Sequence, residues 1–250
     1  MGLEYIKDVV KMALYSGFPL QVWQFNLNRL KNLHKGKSCI LIGNGPSVKY
    51  SDLDKINSSN SIKFVFNRFH KAYENIDFTP NYTVVIDPYF IRDFYDELLV
   101  NHRGCLLIGI DSKFPVSLRN FYFRIKSTDP FEFSLNPLKY ISTGASVVVS
   151  AIQLAYFMGM KDIYLYGIDH SFEYVAEDSE DLIMGEGNHF IENYRSGKRW
   201  CPPNLPLIEN GFKCSAEMLE LKNGKLINIS RESRLPHIKK ENFDDIIHTL

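Results

Sequence analysis

The segment Gly43-Asn44-Gly45-Pro46-Ser47 follows directly on the apolar run Cys39-Ile-Leu-Ile42. Glycines placed after a buried strand let the backbone come close to a phosphate. The N-terminus of a following helix then adds N–H groups and the positive end of its dipole. Ser47 stands where such a helix would be capped. The spacing is not that of a redox-dinucleotide fingerprint. Val48 occupies the place of the third glycine, and the next apolar run ends in Asn67 rather than in an acid for a ribose hydroxyl. No Gly-Lys-Ser/Thr follows, so the segment is not a Walker loop either.

Further polar residues stand at the ends of apolar runs: Asn67, Asp87 before Pro88, Asp111 and Asp169. In an open parallel sheet the ligand sits beyond those carboxyl ends, although Asn and Asp are also common turn formers. Ser142-Thr143-Gly144-Ala145-Ser146 opens an apolar helical stretch, and its hydroxyls could cap that helix or hold a second anionic group. His189 lies in an irregular stretch. An imidazole near a phosphate site suits general-base work near neutral pH, whereas a lone histidine is more often a surface or structural residue. The acidic run Glu173, Glu177, Asp178, Glu180 and Asp181 matches no calcium loop and reads as a solvated lid. The four cysteines, Cys39, Cys105, Cys201 and Cys214, are scattered with no CxxC pair or His at ligand spacing. Neither a metal nor another cofactor is expected, nor a disulfide framework.

These residues need a scaffold, and the apolar runs supply one. Cys39–Ile42, Ile62–Phe66, Tyr82–Ile86, Cys105–Ile110, Phe121–Ile125, Asp162–Asp169 and Lys225–Ile229 read as strands, with a buried helix over Thr143–Met158. Strands alternating with helical stretches predict an α/β, Rossmann-like, doubly wound and mostly parallel sheet. Residues 170–210 lack periodicity and read as a long lid-like loop. Residues 1–37 read as an N-terminal helical extension, broken at Gly17-Phe18-Pro19 and resumed over Leu20–Leu33, in front of one domain at 38–250. Its basic residues beside an apolar stripe allow either peripheral membrane contact or a hairpin packed on the domain. Lys and Arg balance Asp and Glu at 29 each, so no overall field recruits nucleic acid. There is no apolar run of membrane-spanning length and no signal-peptide pattern, so the expected compartment is the cytoplasm, with the inner membrane surface as a variant. Assembly into a homo-oligomer is left open.

Taken in order, Ile40-Leu-Ile-Gly-Asn-Gly-Pro-Ser47, Phe66-Asn67-Arg68-Phe69, Ile141-Ser-Thr-Gly144, Ile163-Tyr-Leu-Tyr-Gly-Ile-Asp169 and Asn188-His189-Phe190 resemble the bacterial sialyltransferases of glycosyltransferase family 42. They are equally similar to the related MptE-like family, named after an archaeal 6-hydroxymethylpterin diphosphokinase. The resemblance implies nucleotide contacts from Asn44, Asn67, Ser142 and Thr143, a general base at His189, and leaving-phosphate stabilisation at Tyr174. Chemistry in the sialyltransferases needs no metal. Tyr194, Arg195 and Trp200 suit, by analogy, the acceptor side. Tyr140 replaces an arginine of the sialyltransferases, Asp87-Pro88 replaces Asn-Pro, and one tyrosine follows Asp169 where they have two. Those departures pull toward the MptE-like branch. The implied partners are a nucleotide-sugar donor, CMP-linked in the first instance, and a glycan or lipid-linked acceptor in surface polysaccharide synthesis. A diphosphokinase using ATP and magnesium on a pterin-like alcohol, or a nucleotide-binding module without catalysis, are the alternatives.

Overall fold

The computed structural model describes residues 22–110, 120–172, 182–186 and 189–250. Asp111, Tyr174 and the acidic run from Glu173 to Asp181, each singled out above, lie outside the described residues, as do residues 1–21.

Nine strands form one sheet: β1 (Ser38–Ile42), β2 (Ile62–Phe66), β3 (Tyr82–Val85), β4 (Cys105–Ile110), β5 (Phe121–Lys126), β6 (Ile141–Ser142), β7 (Asp162–Tyr166), β8 (Lys225–Asn228) and β9 (Lys239–Lys240). Their order is β6-β5-β4-β3-β2-β1-β7-β8-β9, and every pairing is parallel. The apolar runs dictate this. Every residue of β2 and β3 and the last four of β1 and β7 are buried, which only a sheet covered on both faces allows. The strand order reverses between β1 and β7. That reversal opens a crevice at their carboxyl ends.

The covering helices are α1 (Val22–Asn28), α2 (Tyr50–Ser58), α3 (Pro88–Asn101), α4 (Val147–Phe157), α5 (Leu205–Leu221) and α6 (Phe243–Ile247), with a 3-10 helix at Asn67–Glu74. Nine of the eleven residues of α4 are buried, so it is a central helix, apolar all round. It starts at Val147 with Ser146 as its cap, four residues later than the Thr143 start expected from the sequence. The intervening turn runs through Gly144 and Ala145, both at positive φ, which no helix accommodates.

Two other expectations are corrected. Lys49, not Ser47, stands at the N-cap of α2, and no side chain caps it. The helix expected over Leu20–Leu33 ends at Asn28. Beyond it the chain turns, with Asn32 at φ 58, so that the Asn32 and His34 N–H groups donate to the Phe157 and Met158 carbonyls at the end of α4 (3.0 and 2.8 Å). Leu27 and Leu30 are buried in the main core, so the described part of this segment packs on the sheet rather than standing free. Among the described residues no helix is long and apolar enough to cross a membrane.

Candidate functional site

A cavity of about 530 Å³ occupies the crevice at the carboxyl ends of the strands. It brings together Gly43, Asn44, Gly45 and Pro46 after β1, Asn67 after β2, Asp87 after β3, Thr143 after β6 and Asp169 after β7. His189, Tyr194, Arg195 and Trp200 close it from the loop side. Three of the sequence candidates, Ser47, Ser142 and Gly144, are not among the lining residues, and Ser47 instead lines a smaller cavity with Lys49 and Arg231.

The loop after β1 does not present the phosphate cradle expected of it. The N–H groups of Gly43 and Gly45 donate to the Tyr166 and Gly167 carbonyls (2.8 and 3.0 Å), and the Ser47 N–H donates to Asp169 Oδ2 (2.7 Å). The Ser47 hydroxyl donates to Asp169 Oδ1 at 2.5 Å. Burial raises the Asp169 pKa, and the two Ser47 bonds act in the opposite direction. The glycines serve this seam between the β1 and β7 loops: a Cβ on Gly45 would lie 2.5 Å from Asp169 Oδ2 and 2.6 Å from the Gly167 oxygen. Gly45→Ala is therefore expected to cost about 1–3 kcal/mol by overpacking, or roughly 2–12 °C in Tm by scanning calorimetry for a chain of this size. An unchanged Tm would show that the two loops are not packed in this way.

What the loop does present is Asn44. Its Nδ2 donates to the Phe66 carbonyl (3.1 Å) and to the Tyr194 hydroxyl (3.0 Å), which fixes the amide and leaves Oδ1 buried without a partner among the described residues. Asn67 Oδ1 is in the same condition, on a backbone at φ 52. A buried acceptor left unpaired costs about 1–3 kcal/mol. The natural complement of both is a ligand that donates, such as a hydroxyl or an exocyclic amine, and a phosphate ester does neither.

On the loop side, the Tyr194 ring stacks on His189 with centroids 4.0 Å apart and planes 16° from parallel. His189 Nδ1 donates to the Glu186 carbonyl (3.0 Å), so Nε2 is left as the acceptor nitrogen. Burial, helped by the neighbouring Arg195 cation, holds the His189 pKa down at about 4. The ring is thus neutral around pH 7. The Phe190 N–H donates to the Asn44 carbonyl (3.1 Å), tying this loop to the one after β1. The Arg195 guanidinium lies over the Trp200 ring at 4.7 Å, with a buried Nε that has no partner among the described residues.

The two hydroxyl candidates separate. Thr143 faces the cavity, whereas Ser142 is fully buried, donates its hydroxyl to the Glu132 carbonyl and receives no solvent. Asp87 spends Oδ1 on the Tyr89 and Phe90 N–H groups as the cap of α3. The N-terminus of α4 lies at the cavity, capped by the neutral Ser146 hydroxyl with no acid in its first turn.

Two participants, Arg68 and His170, are not among the site residues that the sequence singles out. Arg68, buried beneath the site, holds Glu97 with two bonds of 2.8 Å and reaches the Tyr194 carbonyl (2.5 Å) and the Ser196 hydroxyl (2.9 Å). His170 lines the cavity beside Asp169 and pairs with Glu209 of α5 at 2.9 Å. His170 was adjacent to a flagged strand end, but its partner lies 39 residues on, in a helix the sequence did not mark.

A model of the family described as "6-hydroxymethylpterin diphosphokinase MptE-like" matches residues 20–175. No curated protein matches the chain. Among solved structures, the chain is similar to the sialyltransferase CstII from Campylobacter jejuni in complex with a substrate analogue, cytidine-5'-monophosphate. The identity is 14%, covering 84% of this chain and 86% of that one, with a TM-score of 0.47. It is also similar to sialyltransferase CST-II in complex with a trisaccharide acceptor and CMP, at 16% identity, 82% and 85% coverage and a TM-score of 0.47.

Proposed function

The chain belongs to the MptE-like family, and we propose that it is a metal-independent, inverting glycosyltransferase acting on a nucleotide-activated sugar, CMP-linked in the first instance. The observation that carries this reading is that Asn44, Asn67 and the neutral imidazole of His189 line one cavity, both amides keeping an oxygen without a partner among the described residues. The amides suit the hydroxyls and amine of a nucleoside. His189 Nε2 takes the proton of the acceptor hydroxyl as its oxygen attacks the anomeric carbon from the face opposite the departing phosphate. Thr143 and the first turn of α4 serve the nucleotide's phosphate, and Arg195 with Trp200 frames the acceptor side. A glycan or lipid-linked acceptor of surface polysaccharide is the expected second substrate.

The diphosphokinase reading, drawn from the family's name, needs carboxylates to hold magnesium. Asp87 is engaged as the α3 cap and Asp169 by Ser47, so the geometry supports it less. A thermal-shift panel of CMP, CDP, UDP, GDP and ATP, each with and without magnesium, separates the two. Stabilisation by CMP without metal is the expected result. A response confined to ATP with magnesium would replace glycosyl transfer by diphosphoryl transfer, and no response to any of them would leave neither.

A further inference from the structure

We propose that His170 and Glu209 form a proton-donating pair that meets the departing phosphate of the nucleotide donor. The proposal deepens the nucleotide-sugar reading and rests on it. His170 lies in the cavity wall at the carboxyl end of β7, with its side chain 6% exposed and its backbone at φ 52. A left-handed conformation at a residue with a Cβ persists where the surroundings impose it, and such positions cluster at ligand sites. Ala145, in the turn before α4, has the same φ of 52 and lines the same cavity.

Glu209 Oε1 lies 2.9 Å from His170 Nε2. An ionised carboxylate only accepts, so Nε2 carries a hydrogen and Nδ1 is the position from which the ring can serve a ligand. Glu209 is also the counter-ion for a ring protonated on both nitrogens. The edge of Phe172, 5.4 Å away at 82°, fixes the ring plane. The second helix turn of α5, which carries Glu209, sits against the turn before α4: a Cβ on Gly211 would lie 3.3 Å from Gly144 Cα. The pair therefore belongs to the end of the cavity where the α4 N-terminus opens.

The cavity thus holds two imidazoles with opposite neighbours, Arg195 beside His189 and Glu209 beside His170. Groups whose surroundings differ in this sense divide proton transfer between a base and an acid. In the reaction the acceptor oxygen bonds to the anomeric carbon and the bond from that carbon to the phosphate oxygen breaks, leaving its electron pair on the phosphate. The acceptor proton goes to His189 Nε2. The phosphate oxygen takes a hydrogen bond, and then the proton, from His170 Nδ1. Exchange with solvent restores both rings, so the net transfer is one proton from acceptor to phosphate.

The test compares CMP with cytidine, and UMP, AMP and GMP with their nucleosides, by titration calorimetry on the wild-type chain and on His170→Asn and Glu209→Gln. A charge-assisted bond to the phosphate is worth about tenfold or more in affinity. The expected result is that CMP loses that factor in His170→Asn and several-fold in Glu209→Gln, while cytidine binds all three proteins equally. A structural role would weaken nucleotide and nucleoside together. CMP binding unchanged in both variants, or an equal loss for cytidine, overturns the proposal and leaves the nucleotide-sugar reading standing. Failure of all four nucleotides to bind the wild-type chain overturns that reading and the proposal with it.

Discussion

His189→Ala is expected to lower kcat by about 10²–10⁴-fold while leaving the donor's KM and the fold nearly unchanged. The ring's bonds explain the split. His189 holds its place through Nδ1, on the Glu186 carbonyl, and through its stack on Tyr194, whereas the nucleoside contacts proposed above fall on Asn44 and Asn67 rather than on this ring. The pH dependence is the sharper signature. A base works unprotonated, and burial with Arg195 beside it holds this ring's pKa at about 4 rather than 6.5. The activity that depends on His189 should fall only as pH drops through about 4. The unfolded chain takes up this proton near 6.5 and the folded chain near 4, so stability also declines as pH falls across that window. His189→Ala should remove that part of the decline, read from urea unfolding at several pH values. Full transferase activity in the variant would end His189's role as the base.

Much of this scaffold could be read from apolar runs alone. Ile62–Phe66 and Cys105–Ile110 are strands over the residues the pattern marked, and Asn44, Asn67, Asp87 and Asp169 do converge at the carboxyl edge. Strands buried on both faces write themselves as continuous apolar stretches, and a parallel sheet gathers their ends on one side. The two-residue strands Ile141–Ser142 and Lys239–Lys240 carry too little pattern to be seen. What each polar residue does at that edge was not legible, because it depends on neighbours distant in sequence. Ser47 reads as a helix cap until Asp169, 122 residues away, takes both its N–H and its hydroxyl. Ser142 reads as a ligand hydroxyl until the Glu132 carbonyl takes it. The glycines do matter for a missing Cβ, but the close neighbour is the β7 loop.

Arg68→Met should have the largest effect on stability, and it should reach the site as well. The Arg68 side chain is 5% exposed, forks onto both oxygens of Glu97, lies over Phe94 at 4.1 Å and donates to the Tyr194 carbonyl. Removing the buried guanidinium leaves the Tyr194 carbonyl unpaired and Glu97, a third exposed, with His70 Nε2 (2.6 Å) as its remaining partner, at a cost of about 3 kcal/mol, the lower end for a broken buried pair, or roughly 6–12 °C in Tm. Methionine keeps most of the volume, so the loss reports on charge and hydrogen bonds rather than on a cavity. Adding Glu97→Gln to Arg68→Met removes the uncompensated charge while keeping an acceptor for buried His70 Nε2, and should recover a large part of the stability. The Tyr194 carbonyl stays unpaired in both proteins. Its loop carries the hydroxyl that accepts from Asn44 and the ring that stacks on His189, so nucleotide affinity should remain lowered in the double variant even where Tm recovers. Recovery of both together would show that Arg68 serves the fold alone. Recovery of neither would show that Glu97 is not the partner that matters. The expected separation, stability restored and binding not, identifies Arg68 as the residue through which the core sets the position of the His189 loop.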